Sequence, residues 1–258
     1  MARLGPALAL LAASALLAMP AAAVETRLAL DYDFRLGPLR LVEMHTTVDL
    51  AEGRYSTEAD MRTVGVVGFL FPWTSHAQSS GLRTDNGLRP RLHRAQGTFR
   101  GEPRLVEIDY GDEGRISARV EPAASSDWRD AVPPELQQDT VDPLTASLTA
   151  MAAGCAGTVR VFDGRRRDDL ELADMGDSVV ETSSDQVYSG PARRCRAVVQ
   201  ALGGFWRTDP RQGETPTTLD SWIAVPRPGM LALPVYLELS SARGTLRIHL
   251  TAARASNP

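Results

Sequence analysis

Few side chains in this chain are placed to do chemistry. The histidines are His45, His76, His93 and His249, and no two stand four residues apart. No helix face can therefore offer two imidazoles to one metal ion, and neither HExxH nor another metal-type spacing occurs. There is no G-x-S-x-G turn to expose a nucleophilic serine. Gly203-Gly204 and the pair Gly65 and Gly68 are too sparse to aim successive N–H groups at a phosphate. Two carboxylate pairs remain, Asp31 with Asp33 and Glu107 with Asp109. Residues two apart on a strand share a face at about 7 Å, a separation that suits glycoside hydrolysis. Solvent-facing alternation produces the same spacing without any function. No catalytic group is assigned, and no metal or cofactor is expected.

Cys155 and Cys195 are the two cysteines. With no CxxC spacing and no histidine close to either, a redox or metal pair is disfavoured. An even, small count in an oxidising compartment predicts one disulfide. It would close a loop of about 41 residues, worth roughly 4 kcal/mol of chain entropy.

The elements that carry these groups read as strands. Thr26 to Pro122 is strand after strand, with Leu28, Leu30 and Tyr32 alternating against Arg27, Asp31 and Asp33. Asn86-Gly87 marks a hairpin, because both residues tolerate positive φ. A second hairpin turns at Gly111 to Gly114, between Leu105–Tyr110 and Arg115–Val120. Residues 121–134 hold three prolines and read as a loop. One helix follows near 143–153, with Asp142 as N-cap, Pro143 at the first helical position and Gly154 at its end. Strands are then expected at Thr158–Phe162, Asp169–Ala173, Val179–Val187, Arg196–Ala201, Leu231–Leu239 and Thr245–Ala252, with an exposed loop at Gln212–Thr218. The predicted fold is mainly β: an antiparallel meander forming a partly open barrel or strongly curved sheet, with the helix covering an opening.

Residues 1–23 read as a cleavable signal peptide. Arg3 is the positive n-region, Leu8 to Leu17 the apolar stretch, and Ala21-Ala22-Ala23 the small residues for cleavage. The apolar run is shorter than the ~20 residues of a membrane span. Residues 24–258 are then expected to form a single β-rich envelope domain in the periplasm, with no transmembrane helix after cleavage. A transmembrane β-barrel is the competing placement, and aromatic residues at 6% are few for two interfacial girdles. A formal charge of −4, with all 28 basic residues arginine, offers no electrostatic footprint for nucleic acid.

The segment from Val64 to Trp73 breaks the pattern. It is apolar, does not alternate, and is interrupted by Gly65 and Gly68. One reading is a short helical plug packed into the mouth of the barrel. The other is an apolar lip whose Val66, Phe69, Leu70, Phe71 and Trp73 contact an acyl chain, a membrane surface or a partner.

The order of motifs resembles a known family. It comprises the Gly-rich segment Gly65 to Phe71, then Asn86-Gly87-Leu88-Arg89-Pro90 and Val106-Glu107-Ile108-Asp109-Tyr110. Gln138-Asp139 and Asp142-Pro143-Leu144 come next. Val161-Phe162-Asp163-Gly164-Arg165 and a late tryptophan strand running into Leu233-Pro234-Val235 complete the series. Most of the chain thus resembles the exported bacterial family catalogued as domain of unknown function 3108. The resemblance implies one β-rich envelope domain and supplies no activity. Three functions are carried forward. The first is binding or carrying an amphiphilic or lipid-like ligand, the second holding an envelope protein partner in a structural or assembly role, and the third hydrolysing glycans.

Overall fold

The computed structural model describes residues 26–99, 101–123, 126, 128–208, 216–241 and 244–256. The signal-peptide reading at 1–23 and most of the loop expected at 212–218 lie outside them. Within them a helix long and apolar enough to cross a membrane is absent.

The chain folds up and down in neighbouring strands. Thr26–Leu36 (β1), Leu39–Ala51 (β2), Arg54–Thr63 (β3), Trp73–Thr84 (β4), Gly87–Phe99 (β5), Glu102–Tyr110 (β6) and Ile116–Glu121 (β7) each pair antiparallel with the next. Gly157–Phe162 (β8), Arg167–Val180 (β9), Gly190–Gly203 (β10), Thr217–Ala224 (β11), Leu233–Ser241 (β12) and Gly244–Ser256 (β13) repeat the arrangement. β13 then returns to pair with β1, giving one 13-stranded sheet ordered β7 to β1, then β13 to β8. The expected mainly β antiparallel meander is the observed fold.

Alternation selects the buried face. Leu28, Leu30 and Tyr32 on β1 join Val48 on β2, Tyr55 on β3, Leu233 and Val235 on β12, and Ile248 and Leu250 on β13 in one apolar core. A second cluster gathers Val106, Ile108 and Tyr110 of β6 with Val132 and Phe162. Members of the second cluster come from near opposite edges of the sheet, so the sheet curls until its two ends share a core.

The ladder does not close, since β7 and β8 are its edges. The chain between them does the joining. Ile116 N–H on β7 donates to Gln138 Oε1, and Asp139 N–H donates to Gly114 O. On the β8 side, Val141 N–H donates to Arg160 O and Phe162 N–H to Val141 O. Pro134–Gln137 (α2) and Pro143–Ala152 (α3) lie in this connection. The helix expected near 143–153 is α3, and it packs against β8, β5, β3 and β4.

Two expectations are corrected. The strands foreseen at Asp169–Ala173 and Val179–Val187 are a single strand, β9, which stops at Val180. Its interior Gly176 adopts φ +81, and the β9–β10 register shifts between Arg193 and Cys195. A bulge thus carries the strand through a glycine that reads as a break. The plug reading of 64–73 also fails. Gly65–Leu70 (α1) is helical, but it buries none of its residues.

Candidate functional site

Three sites merit inspection. The first is a buried polar cluster that joins three strands to α3. Asp142 caps α3 by accepting from the N–H groups of Leu144 (3.0 Å) and Thr145 (2.9 Å). The same carboxylate accepts from Ser79 Oγ and from Thr145 Oγ1, each at 2.6 Å. A hydroxyl has one proton to give. With the Ser79 proton on Asp142, the His93 Nδ1–H donates to Ser79 at 2.8 Å. Likewise Tyr55 O–H donates to Thr145 at 2.7 Å. Two relays, His93–Ser79 and Tyr55–Thr145, converge on one carboxylate. Burial by itself would raise the Asp142 carboxyl. Hydrogen bonding and charge from His93, with the hydroxyls of Ser79 and Thr145, outweigh it and hold the group below the usual carboxylate range. Tyr110 O–H is buried nearby without a hydrogen-bond partner among the described residues.

Serine, histidine and aspartate together invite comparison with a nucleophilic triad, and the geometry differs. In a triad the imidazole stands between serine and carboxylate and touches each through a different nitrogen. Here Ser79 stands between the other two, and His93 Nδ1 is also 3.4 Å from Asp142 Oδ1. All three residues are buried. The cluster pins α3 to the sheet.

The second site lies on the opposite face of β1 to β4. Register sets Asp31 opposite His45, His45 opposite Asp60, and Asp60 opposite His76. His45 Nδ1 meets Asp31 Oδ1 at 2.6 Å and His76 Nδ1 meets Asp60 Oδ1 at 2.8 Å. Asp33 and Glu43 both accept from Arg40, and Glu43 also pairs with Arg62. Among the described residues, no group of three or more histidine, cysteine or acidic side chains is arranged to hold a metal ion. The Glu107 carboxylate is engaged by Arg94 and Arg119.

The third is a groove of about 1420 Å³. Met44, Met61, Leu105 and Trp128 are among its apolar lining; Arg40, Arg62, Arg94 and Arg104 line it together with Asp31, Asp33, Glu43, His45, Asp60 and His76 of the second site. Trp128 stands edge-on to Phe99 with centroids 5.6 Å apart, and Arg104 lies over both rings. In an antiparallel meander alternate connections fall at the same end of the sheet. The β1–β2 turn, α1 and the β5–β6 turn therefore share one end. The groove reaches that end, because Arg62 and Thr74 line it just before and after the segment carrying α1.

The five residues expected to bind a ligand divide four to one. Val66, Phe69, Leu70 and Phe71 project into solvent, 71%, 85%, 58% and 68% exposed. Trp73 begins β4, is half-buried, and donates its N–H to Thr63 Oγ1 at 3.0 Å. None of the five lines the groove itself. The sequence reading missed Trp128, Phe99 and Arg104. Their meeting depends on the path of residues 122–132, for which a proline-rich loop carries no periodic signal.

Both cysteines are buried and their thiols interact, but they are free and not at bonding distance, so the expected disulfide is not formed in this structure. Burial first, and then the hydrogen bond with Cys155, push the Cys195 thiol up to about 12. Cys155 follows Gly154 at the end of α3, and both residues have positive φ, +66 and +61.

A search of curated proteins gives no match. Among solved structures the chain is similar to a beta-barrel-like protein of domain of unknown function DUF1849 from Brucella abortus. Identity is 10%, coverage is 91% of this chain and 99% of that one, and the TM-score is 0.48. The family described as protein of unknown function (DUF3108) matches residues 31–251, the span that contains the groove, the buried cluster and α1. By that match the chain belongs to the DUF3108 family.

Proposed function

We propose that this chain is an exported envelope protein that binds or carries an amphiphile. One observation carries the reading: a solvent-exposed apolar helix stands at the end of a roomy groove of mixed polarity. Ligand sites of this kind pair apolar walls with a few placed polar groups. An acyl chain would lie against Met44, Met61, Leu105 and Trp128, and a polar head would meet the paired acidic and basic groups of the lining. Val66, Phe69, Leu70, Phe71 and Trp73 would guide the chain at the entrance. The expected experiment is native mass spectrometry with organic extraction of protein purified from its own host. A co-purified lipid-like species, lost in Met61→Arg, supports the reading. Unliganded protein in both preparations rejects it.

Export to the periplasm, cleavage after residue 23 and a single envelope domain from 24 onward belong to the same proposal. So does a Cys155–Cys195 disulfide. A non-glycine residue in the left-handed region costs about 1–2 kcal/mol. That conformation accompanies a contact between two buried free thiols, and an oxidising compartment would supply the reason to join them. A mature mass beginning at Val24, reduced by two hydrogens before reduction, is the expected result.

A further inference from the structure

We propose that α1 is a membrane-insertion finger that enters the interfacial layer of a lipid bilayer and sets the groove-bearing end of the sheet against it. The inference goes beyond the carrier reading and holds whether or not the groove takes a ligand. Four observations point to lipid as the occupant.

The stretch from Val64 to Trp73 has no charged side chain, and none of the residues within α1 is buried. Four side chains of this size expose on the order of 500 Å². That falls below the roughly 800 Å² per partner of a stable protein interface. It is ample for shallow insertion, whose gain grows with the apolar area buried. Secondly, the two ends of the finger are tied back to the sheet and part of its backbone is paired. Gly68 N–H donates to Val64 O, Phe71 N–H to Val67 O, and Val64 N–H to Leu41 O on β2. Thr63 Oγ1 donates to Phe71 O and accepts from Trp73 N–H. Each paired group lowers the cost of entering hydrocarbon, which penalises open backbone groups.

Thirdly, the neighbouring β1–β2 turn at the same end exposes Leu36 and Leu39, which widens the apolar front. Finally, the charges at its base are already satisfied. Arg40 is engaged by Asp33 and Glu43, and Arg62 by Glu43. Insertion therefore needs no anionic lipid and is insensitive to salt, unlike attraction through a basic patch.

The test uses the delipidated chain from residue 24 onward with vesicles of phosphatidylethanolamine and phosphatidylglycerol, some carrying brominated acyl chains. In Phe69→Trp, emission should shift to the blue and be quenched by the bromines, relative to the parent with its four native tryptophans. Co-sedimentation should fall about tenfold or more in Phe69→Asp/Phe71→Asp, and be unchanged between low and high salt. Leu82→Asp, at the opposite end of β4, should bind like the parent. Because α1 buries nothing, unchanged circular dichroism is expected for each variant. Unaltered Phe69→Trp emission with vesicles overturns the proposal. So does full binding by the double aspartate variant, or a dimer of the parent that the same variant dissolves. No co-purified ligand in the parent, with vesicle binding intact, would count against the carrier reading alone.

Discussion

Asp142 shows how much one side chain can do in this fold. It is a helix cap, the acceptor of two hydroxyls and a close neighbour of a buried imidazole. Asp142→Ala leaves two N–H groups and the His93 relay unpaired. The expected cost is about 3–5 kcal/mol, read from urea unfolding, against about 1–2 kcal/mol for a cap alone. A loss within the smaller range would mean that the relay contributes nothing. The depressed Asp142 carboxyl also sets a pH dependence. Its folded value lies below its unfolded one, so the stabilisation is complete above the unfolded value near 3.8 and is lost as pH falls through the folded value. Acid unfolding should therefore steepen below about pH 4, and Asp142→Asn should flatten that limb. The capping role was legible, since an Asp-Pro before an apolar stripe is a local signal. The relay was not, because His93 and Ser79 reach Asp142 only through strand register, and register is a property of pairs distant in the chain.

Elements were legible wherever period two met a glycine turn, as at Asn86-Gly87. They were misread where a glycine sits inside a strand. Two strands are expected, one on either side of Gly176, and β9 runs through it with a bulge that sets two of its residues against one of β10. Glycines at turns divide by what surrounds them. Gly53 and Gly164 both have positive φ, +68 and +86. A Cβ on Gly53 meets nothing within 4 Å, whereas one on Gly164 would overlap the Val106 side chain in the second core cluster. Gly53→Ala should cost only the backbone strain, about 1–2 kcal/mol. Gly164→Ala should cost that and about 1–3 kcal/mol more for overpacking, measured as the difference in denaturant midpoints at equal slope. Equal losses would show that the β8–β9 turn yields freely and that the two edges are less tightly joined than their shared core implies.

At the scale of the whole molecule, the first and last strands pair at the centre of the sheet, and the middle of the chain joins its edges. The pairings nearest in sequence are hairpins, cheap in loop entropy, while β1 with β13 and the 138–141 straps are distant and expensive. No local pattern encodes those distant joins, which is why a partly open barrel was legible and the manner of its closure was not. The cysteines bear on the same economy. Cys155 lies between α3 and β8, and Cys195 lies on β10, so a bond between them would tie the cap helix to the third strand from the edge. Closing about 41 residues removes roughly 4 kcal/mol of unfolded-state freedom. The raised Cys195 thiol makes spontaneous oxidation slow, because the thiolate is the attacking species. Protein folded in an oxidising compartment should therefore unfold at a higher urea concentration than the same protein folded in the cytosol. Added reductant should erase the difference only once the chain has opened, and Cys155→Ser should abolish it from the start. Coincident midpoints for the two preparations would mean that the pair stays reduced and that its contact is packing alone.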